Sequence, residues 1–162
     1  MMDRAAVVFT LAVLLHGADH VRRGIGASGK DVFVLGAAGA VVEVAIVMAI
    51  ARRHPLAPAA AAAGGSVLAA GYVAAHFLPR RALFSDPLAS APAVTWLSWA
   101  AASIEVAAAL ALAAAGAVAL FGRPSPNVSH RPIGAAEVIR RPYVAAMVLG
   151  NVVIVVAALV RG

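Results

Sequence analysis

Residues 32–51 read VFVLGAAGAVVEVAIVMAIA, an unbroken apolar run with a single charged residue, Glu43. As helix, such a run is about 30 Å long at 1.5 Å per residue, which matches the hydrocarbon core of a bilayer. A surface helix of a soluble domain would carry a polar face, and this run has none. It therefore reads as a membrane span. Glu43 becomes its most informative residue, because a carboxylate at mid-bilayer costs at least about 2.5 kcal/mol and is kept only where it faces partners inside a bundle.

Four further segments have the same character. The first runs from Ala5 to Val21, the third from Leu56 to Leu78 with Pro58 tolerated in its first turn, the fourth from Ala93 to Leu120, and the fifth from Tyr143 to Val160. Of the 162 residues, 63% are hydrophobic and 12% charged, against about 25% charged in a soluble domain. So little polar surface cannot cover a soluble protein of this size. The expected fold is an all-α integral membrane protein with five transmembrane helices, a single membrane domain over residues 1–162. The expected location is the plasma membrane of a bacterium. Arg4 and the apolar run to Leu15 resemble the start of a signal peptide. The run continues into His16, Asp19 and His20 without a small-residue cleavage site, so it is read as a retained first helix.

The chain has no cysteine, which excludes disulfides, thiolate metal sites and cysteine nucleophiles. Its net charge is +6. Basic residues stand as pairs at the ends of apolar runs, Arg22-Arg23, Arg52-Arg53, Arg80-Arg81 and Arg140-Arg141. That placement reads as anchoring beside lipid headgroups and argues against a nucleic-acid partner. The partners expected are the lipid bilayer and either a second membrane protein or further copies of this chain.

The first four helices read as two copies of one unit. Ala18-Asp19-His20-Val21-Arg22-Arg23 is followed by a loop and then Val41-Val42-Glu43-Val44-Ala45. Ala75-His76-Phe77-Leu78-Pro79-Arg80-Arg81 is followed by a loop and then Ser103-Ile104-Glu105-Val106-Ala107. Each unit is a helix ending in His and a double Arg, then a returning helix with a buried Glu, and Asp31 and Asp86 take comparable loop positions. Residues 1–54 and 55–121 form the two units of a pseudo-duplicated bundle related by an axis along the membrane normal. Residues 122–142 form a Pro- and Arg-rich loop, and residues 143–162 a peripheral fifth helix.

Glu43 and Glu105 each lie about eleven residues into their helices, roughly 16 Å deep, and enter from the same side. Small residues precede them on the same face: Gly36, Gly39 and Ala40 before Glu43, and Ser98, Ala101 and Ala102 before Glu105. These predict close helix approach. His16, Asp19 and His20 share one stripe of the first helix at i, i+3 and i+4. Tyr72 and His76 share a face of the third, which ends on the side where the glutamate helices begin. The constellation of His16, Asp19, His20 and His76 with Glu43 and Glu105 suits a divalent transition metal or, through a histidine pair, haem. His16, Asp19, His20 and His76 are the expected metal ligands. Glu43 and Glu105 are the expected catalytic residues, as proton carriers or further ligands, in redox or hydrolytic chemistry. Two other functions fit the same residues. A proton-coupled transporter or channel subunit would use Glu43 and Glu105 as relays. An accessory subunit of a larger membrane complex would use neither chemically. Trp96 and Trp99 read as an interfacial belt, Asn151 as a helix–helix hydrogen bond, and Ser85-Asp86-Pro87 as a turn on the site side able to act as a lid.

The combination His-Gly-Ala-Asp-His (16–20), His-Phe-Leu-Pro (76–79), Phe-Ser-Asp-Pro (84–87) and Trp-Leu-Ser-Trp…Glu (96–105) resembles small multi-pass membrane proteins of GC-rich actinobacteria. The resemblance covers most of the first four helices and implies the membrane fold but no activity.

Overall fold

A computed structural model of the chain describes residues 1–79, 85–122 and 141–161. Arg80, Arg81, Phe84 and nearly all of the expected 122–142 loop lie outside the described residues. Those residues form six helices and no strand: α1 Met2–Arg23, α2 Ile25–Ser28, α3 Lys30–Ala51, α4 Ala57–His76, α5 Trp96–Phe121 and α6 Pro142–Arg161. Four stretches, Met2–Arg23, Asp31–Ala51, Ala57–His76 and Trp96–Phe121, are long and apolar enough to cross a bilayer. The apolar part of α6, Pro142–Ala157, is shorter.

Local signals account for the helix ends. Gly24 and Gly29, both at φ 84°, bracket the single turn of α2, a backbone that glycine adopts without strain. Pro58 sits in the first turn of α4, where its missing N–H costs nothing. Thr95 and Ser98 form a reciprocal capping box at the start of α5. Beyond α4, the amides of Asp86 and Leu88 donate to the carbonyls of Ala75 and His76 at 2.9 Å, so the following loop satisfies the helix's last acceptors.

Polarity is inverted relative to a soluble protein. Val34, Val41, Leu110, Val118 and Val153 face outward, while Thr10, His16, Asp19, Glu43, His76, Ser98 and Glu105 are buried. Trp96 and Phe121, at opposite ends of α5, are 75% and 87% exposed. This is the distribution that lipid selects at helix surfaces and ends.

The tightest seam is α4 on α5. Ala57, Ala61, Gly65 and Ala69 form a buried small-residue stripe at four-residue spacing. A Cβ on Gly65 would lie 2.7 Å from the Ala109 carbonyl oxygen, and one on Gly116 would lie 2.6 Å from the Pro58 carbonyl oxygen. The helices touch backbone to backbone there. Gly65→Leu is expected to destabilise the protein by about 3 kcal/mol or more, because a backbone neighbour cannot yield as a side chain can. Gly71→Leu, where a Cβ meets nothing within 4 Å, is the matched control. Denaturation of both variants in mixed micelles, followed by circular dichroism, measures the difference.

Three expectations about packing change. First, the two presumed units are not packed alike: α4 lies along α5, whereas α1 makes its main contacts with α5 and few with α3. Second, α6 sits in the seam between α1 and α3 rather than merely outside the bundle. Gly17 faces Ile154 and Gly150 faces Leu14, so each glycine receives the other helix's branched side chain. Arg141 and Tyr143 tie the start of α6 to Asp3 at 3.0 Å. Third, Gly36 and Gly39 do not mediate close approach of α3. A Cβ on Gly36 meets nothing within 4 Å, and one on Gly39 meets only Glu43 of the same helix. Close approach holds for Ser98, Ala101 and Ala102 of α5, which are buried.

Candidate metal centre

The last turns of α1 and α4 meet beneath the α4–α5 loop and bring three imidazoles together. The ring centroids of His16 and His20 are 4.6 Å apart, those of His16 and His76 4.7 Å, and those of His20 and His76 5.6 Å. One nitrogen from each ring lies within 4.8 Å of the others. His16 and His20 are one helical turn apart, so adjacency follows from the helix. His76 arrives from another element.

The hydrogen bonds around the triad indicate which nitrogens carry protons, as an assignment from partners rather than from observed hydrogens. His76 Nδ1 lies 3.2 Å from the Asp86 carbonyl oxygen, which only accepts, so Nδ1 carries the proton. The Ser28 hydroxyl donates to Asp86 Oδ2 at 3.1 Å and therefore accepts from His20 Nδ1 at 3.0 Å. Both rings are thus left with a bare Nε2. His16 Nε2 lies 2.9 Å from His20 Nε2, so a proton or a cation must sit between them. His16 Nδ1 faces Glu105 Oε2 at 3.7 Å. Both of these atoms are buried without a hydrogen-bond partner, and a small closure would pair them. Carboxylate, carbonyl and hydroxyl partners on the far nitrogen are what orients a ligating histidine.

Asp86 is the keystone of this arrangement. Its carboxylate accepts from Arg23 Nη1 and Nη2 at 2.8 and 2.9 Å, and both side chains are fully withdrawn from solvent. Burial alone would raise the Asp86 carboxyl. The hydrogen bonds and charge of Arg23, with His20 and Ser28 adding to them, outweigh burial and hold the carboxyl below the ordinary carboxylate range. Arg22 reaches Asp19 at 2.9 Å, the Ala93 carbonyl at 3.0 Å and Ser98 Oγ at 3.1 Å. The Arg22-Arg23 pair is therefore not a headgroup anchor. It clamps α1 to the loop before α5, because that loop supplies the acceptors.

The six expected site residues are thus partly united. His16, His20 and His76 form the triad. Asp19 stands apart from it, with Oδ1 held by Arg22. Glu105 backs His16. Glu43 accepts from the Tyr72 hydroxyl at 2.5 Å, the range of a short O–H···O bond. All but Asp19 line one cavity of ≈ 450 Å³, together with Tyr72. Asp31 is no counterpart of Asp86, since it belongs to the first turn of α3. Among the described residues Asn151 makes no bond to another helix; its amide donates to the Met147 carbonyl one turn back in α6. Ser28 and Arg23 were not read as site residues. The only signal for Arg23 was an acidic loop residue, Asp86, in a chain with few acids to spare.

His16 meets His20 and His76 edge to face. Two axial histidines would need a macrocycle plane between them, so the donor set fits a single ion rather than haem. Around a tetrahedral ion, at metal–nitrogen distances of about 2.0–2.1 Å, ligand nitrogens stand about 3.3–3.4 Å apart. His16 and His20 would part by a few tenths of an ångström to meet that, and the wider separations of the triad, up to 4.8 Å, would close in. In comparisons with protein families, with curated proteins and with solved structures, the chain has no match.

Proposed function

We propose that this is a multi-pass membrane protein of the bacterial cell membrane, with five spans, that holds one divalent transition-metal ion on His16, His20 and His76. The first four helices would derive from a duplicated helix pair. The observation that carries the metal reading is the set of Nδ1 partners. Asp86 and Ser28 occupy the Nδ1 of His76 and His20, and Glu105 faces that of His16. Three Nε2 lone pairs are left to converge. Imidazole donors suit zinc, copper, iron and nickel. A three-histidine centre leaves a fourth position, here facing the cavity, in the manner of catalytic rather than closed structural sites. When bound there, the ion would supply Lewis acidity to a ligand in the cavity. Glu43, hydrogen-bonded to Tyr72, and Glu105, behind His16, would move protons beside it. Asp19 would position Arg22.

Elemental analysis of protein purified in detergent without chelator tests the reading. The wild type is expected to carry close to one equivalent of transition metal, and a His16→Ala/His76→Ala variant essentially none. A metal-free wild type that also takes up no added Zn²⁺ or Co²⁺ would sink the proposal.

A further inference from the structure

The cavity extends well beyond the triad. From His16 and His76 it runs along α3 and α4, past Gly36, Gly39 and Gly71, to a rim that includes Leu35, Val42 and Val67. The three rim residues are exposed, and in the membrane reading their side chains face acyl chains. Its ≈ 450 Å³ falls in the range of small-molecule sites.

The glycines have no packing reason to be there. At Gly36 and Gly71 a methyl group would meet no atom within 4 Å, and a glycine inside a helix costs about 1 kcal/mol relative to alanine. What they leave is room. The second observation is at the polar end. Glu105 is 2% exposed, lines the cavity and has Oε2 without a hydrogen-bond partner. Glu43 lines the same end. Two carboxylates make that end rich in acceptors and poor in donors. An anionic headgroup brings further acceptors and no donor, and an ion on the triad would oppose a cationic one. An uncharged hydroxyl brings a donor to that end as well as an acceptor.

We propose that the cavity receives an uncharged, hydroxyl-bearing amphiphile from the lipid phase. It enters between α3 and α4, with its chain against Gly36 and Gly71 and its oxygen toward Glu43, Glu105 and the triad. The exclusion of a cationic head rests on the metal reading above; the cavity and its acceptors do not.

Photo-crosslinking in lipid nanodiscs with a diazirine-bearing long-chain alcohol, followed by peptide mapping, tests this. Adducts are expected on residues 35–43 and 67–76. Excess 1-dodecanol is expected to compete and dodecanoate is not. Gly71→Leu, which keeps helicity and metal content, is expected to lower those adducts about tenfold, equivalent to 1.4 kcal/mol of binding. Adducts confined to outward residues such as Val34, Leu110 and Val118, adducts insensitive to 1-dodecanol, or equal competition by dodecanoate would each overturn the proposal. The readout needs no metal. A metal-free protein with competed cavity adducts would lose the metal reading and keep this one. A metal-loaded protein without such adducts would do the reverse.

Discussion

Asp86→Ala is expected to destabilise the protein by about 3–5 kcal/mol, the range for removing one partner of a buried ion pair. The loss is that large because Arg23 has nowhere to take its charge. Its guanidinium is fully buried, and among the described residues it bonds, apart from Asp86, only the Pro92 carbonyl, at 3.3 Å. Arg23→Ala should cost a similar amount by stranding the carboxylate. The double variant should cost less than the sum of the two, because neither charge is then left alone. The pH dependence has a definite sign. Asp86 is held below its ordinary value in the folded protein, chiefly by Arg23 against the opposing effect of burial. Its contribution is therefore fully present above the unfolded carboxyl's pKa of about 3.9 and is lost as the pH falls through the lower folded value. Denaturation in mixed micelles at pH 7 and at pH 3, for wild type and Asp86→Asn, measures it. The gap between the two proteins should shrink at the lower pH. A gap below 1 kcal/mol at pH 7 would show that the pair behaves as if it were on the surface.

The other large effect is on metal affinity. His76→Ala removes one of the three proposed ligands, and Zn²⁺ affinity is expected to fall by more than about a hundredfold, beyond the 10–100-fold typical of losing an outer partner. Glu105→Gln and Ser28→Ala should fall within that smaller range. Glu105→Gln keeps the shape but weakens the pull on the His16 proton, and Ser28→Ala frees His20 Nδ1 and loosens the ring. The ordering separates ligands from their supports, and titration with a competing chelator reads it directly. Equal losses at all three positions would mean that the centre responds to general disruption, not to the loss of a donor. Asp19→Asn serves as a further comparison. It should leave affinity nearly unchanged, since its carboxylate is engaged by Arg22 rather than by the triad.

The helices were well legible in the sequence because long apolar runs leave little choice. Those runs and the paired arginines set the helix bounds to within a few residues, and the scarcity of charge within them singled out Glu43 and Glu105. His16 and His20 were legible as an i, i+4 pair. His76 stands on another helix, and it joins them where the amides of Asp86 and Leu88 cap the end of α4. A loop's return path has no periodicity to read. Asp19 misled for a related reason. Its place on the histidine stripe is real, but Arg22 on the next turn competes for it, and sequence spacing cannot say which neighbour wins. The glycines of α3 were read by their chemistry, as small residues that let helices close. Only the position of α4 shows that they border a space.

The separation of the centre's parts along the chain has a consequence for biogenesis. Asp86 closes on Arg23 across 63 positions, and His76 comes 56 residues after His20. At translation rates of about 5–20 residues per second, the first two histidines are exposed as an incomplete pair for roughly 3–11 s before the third leaves the ribosome. The triad can close only after α4 has formed and Asp86 has docked on Arg23. In the proposed metal reading, ion capture thus belongs to the last stage of folding, and a chain truncated before His76 would present two histidines and an unneutralised arginine to quality control.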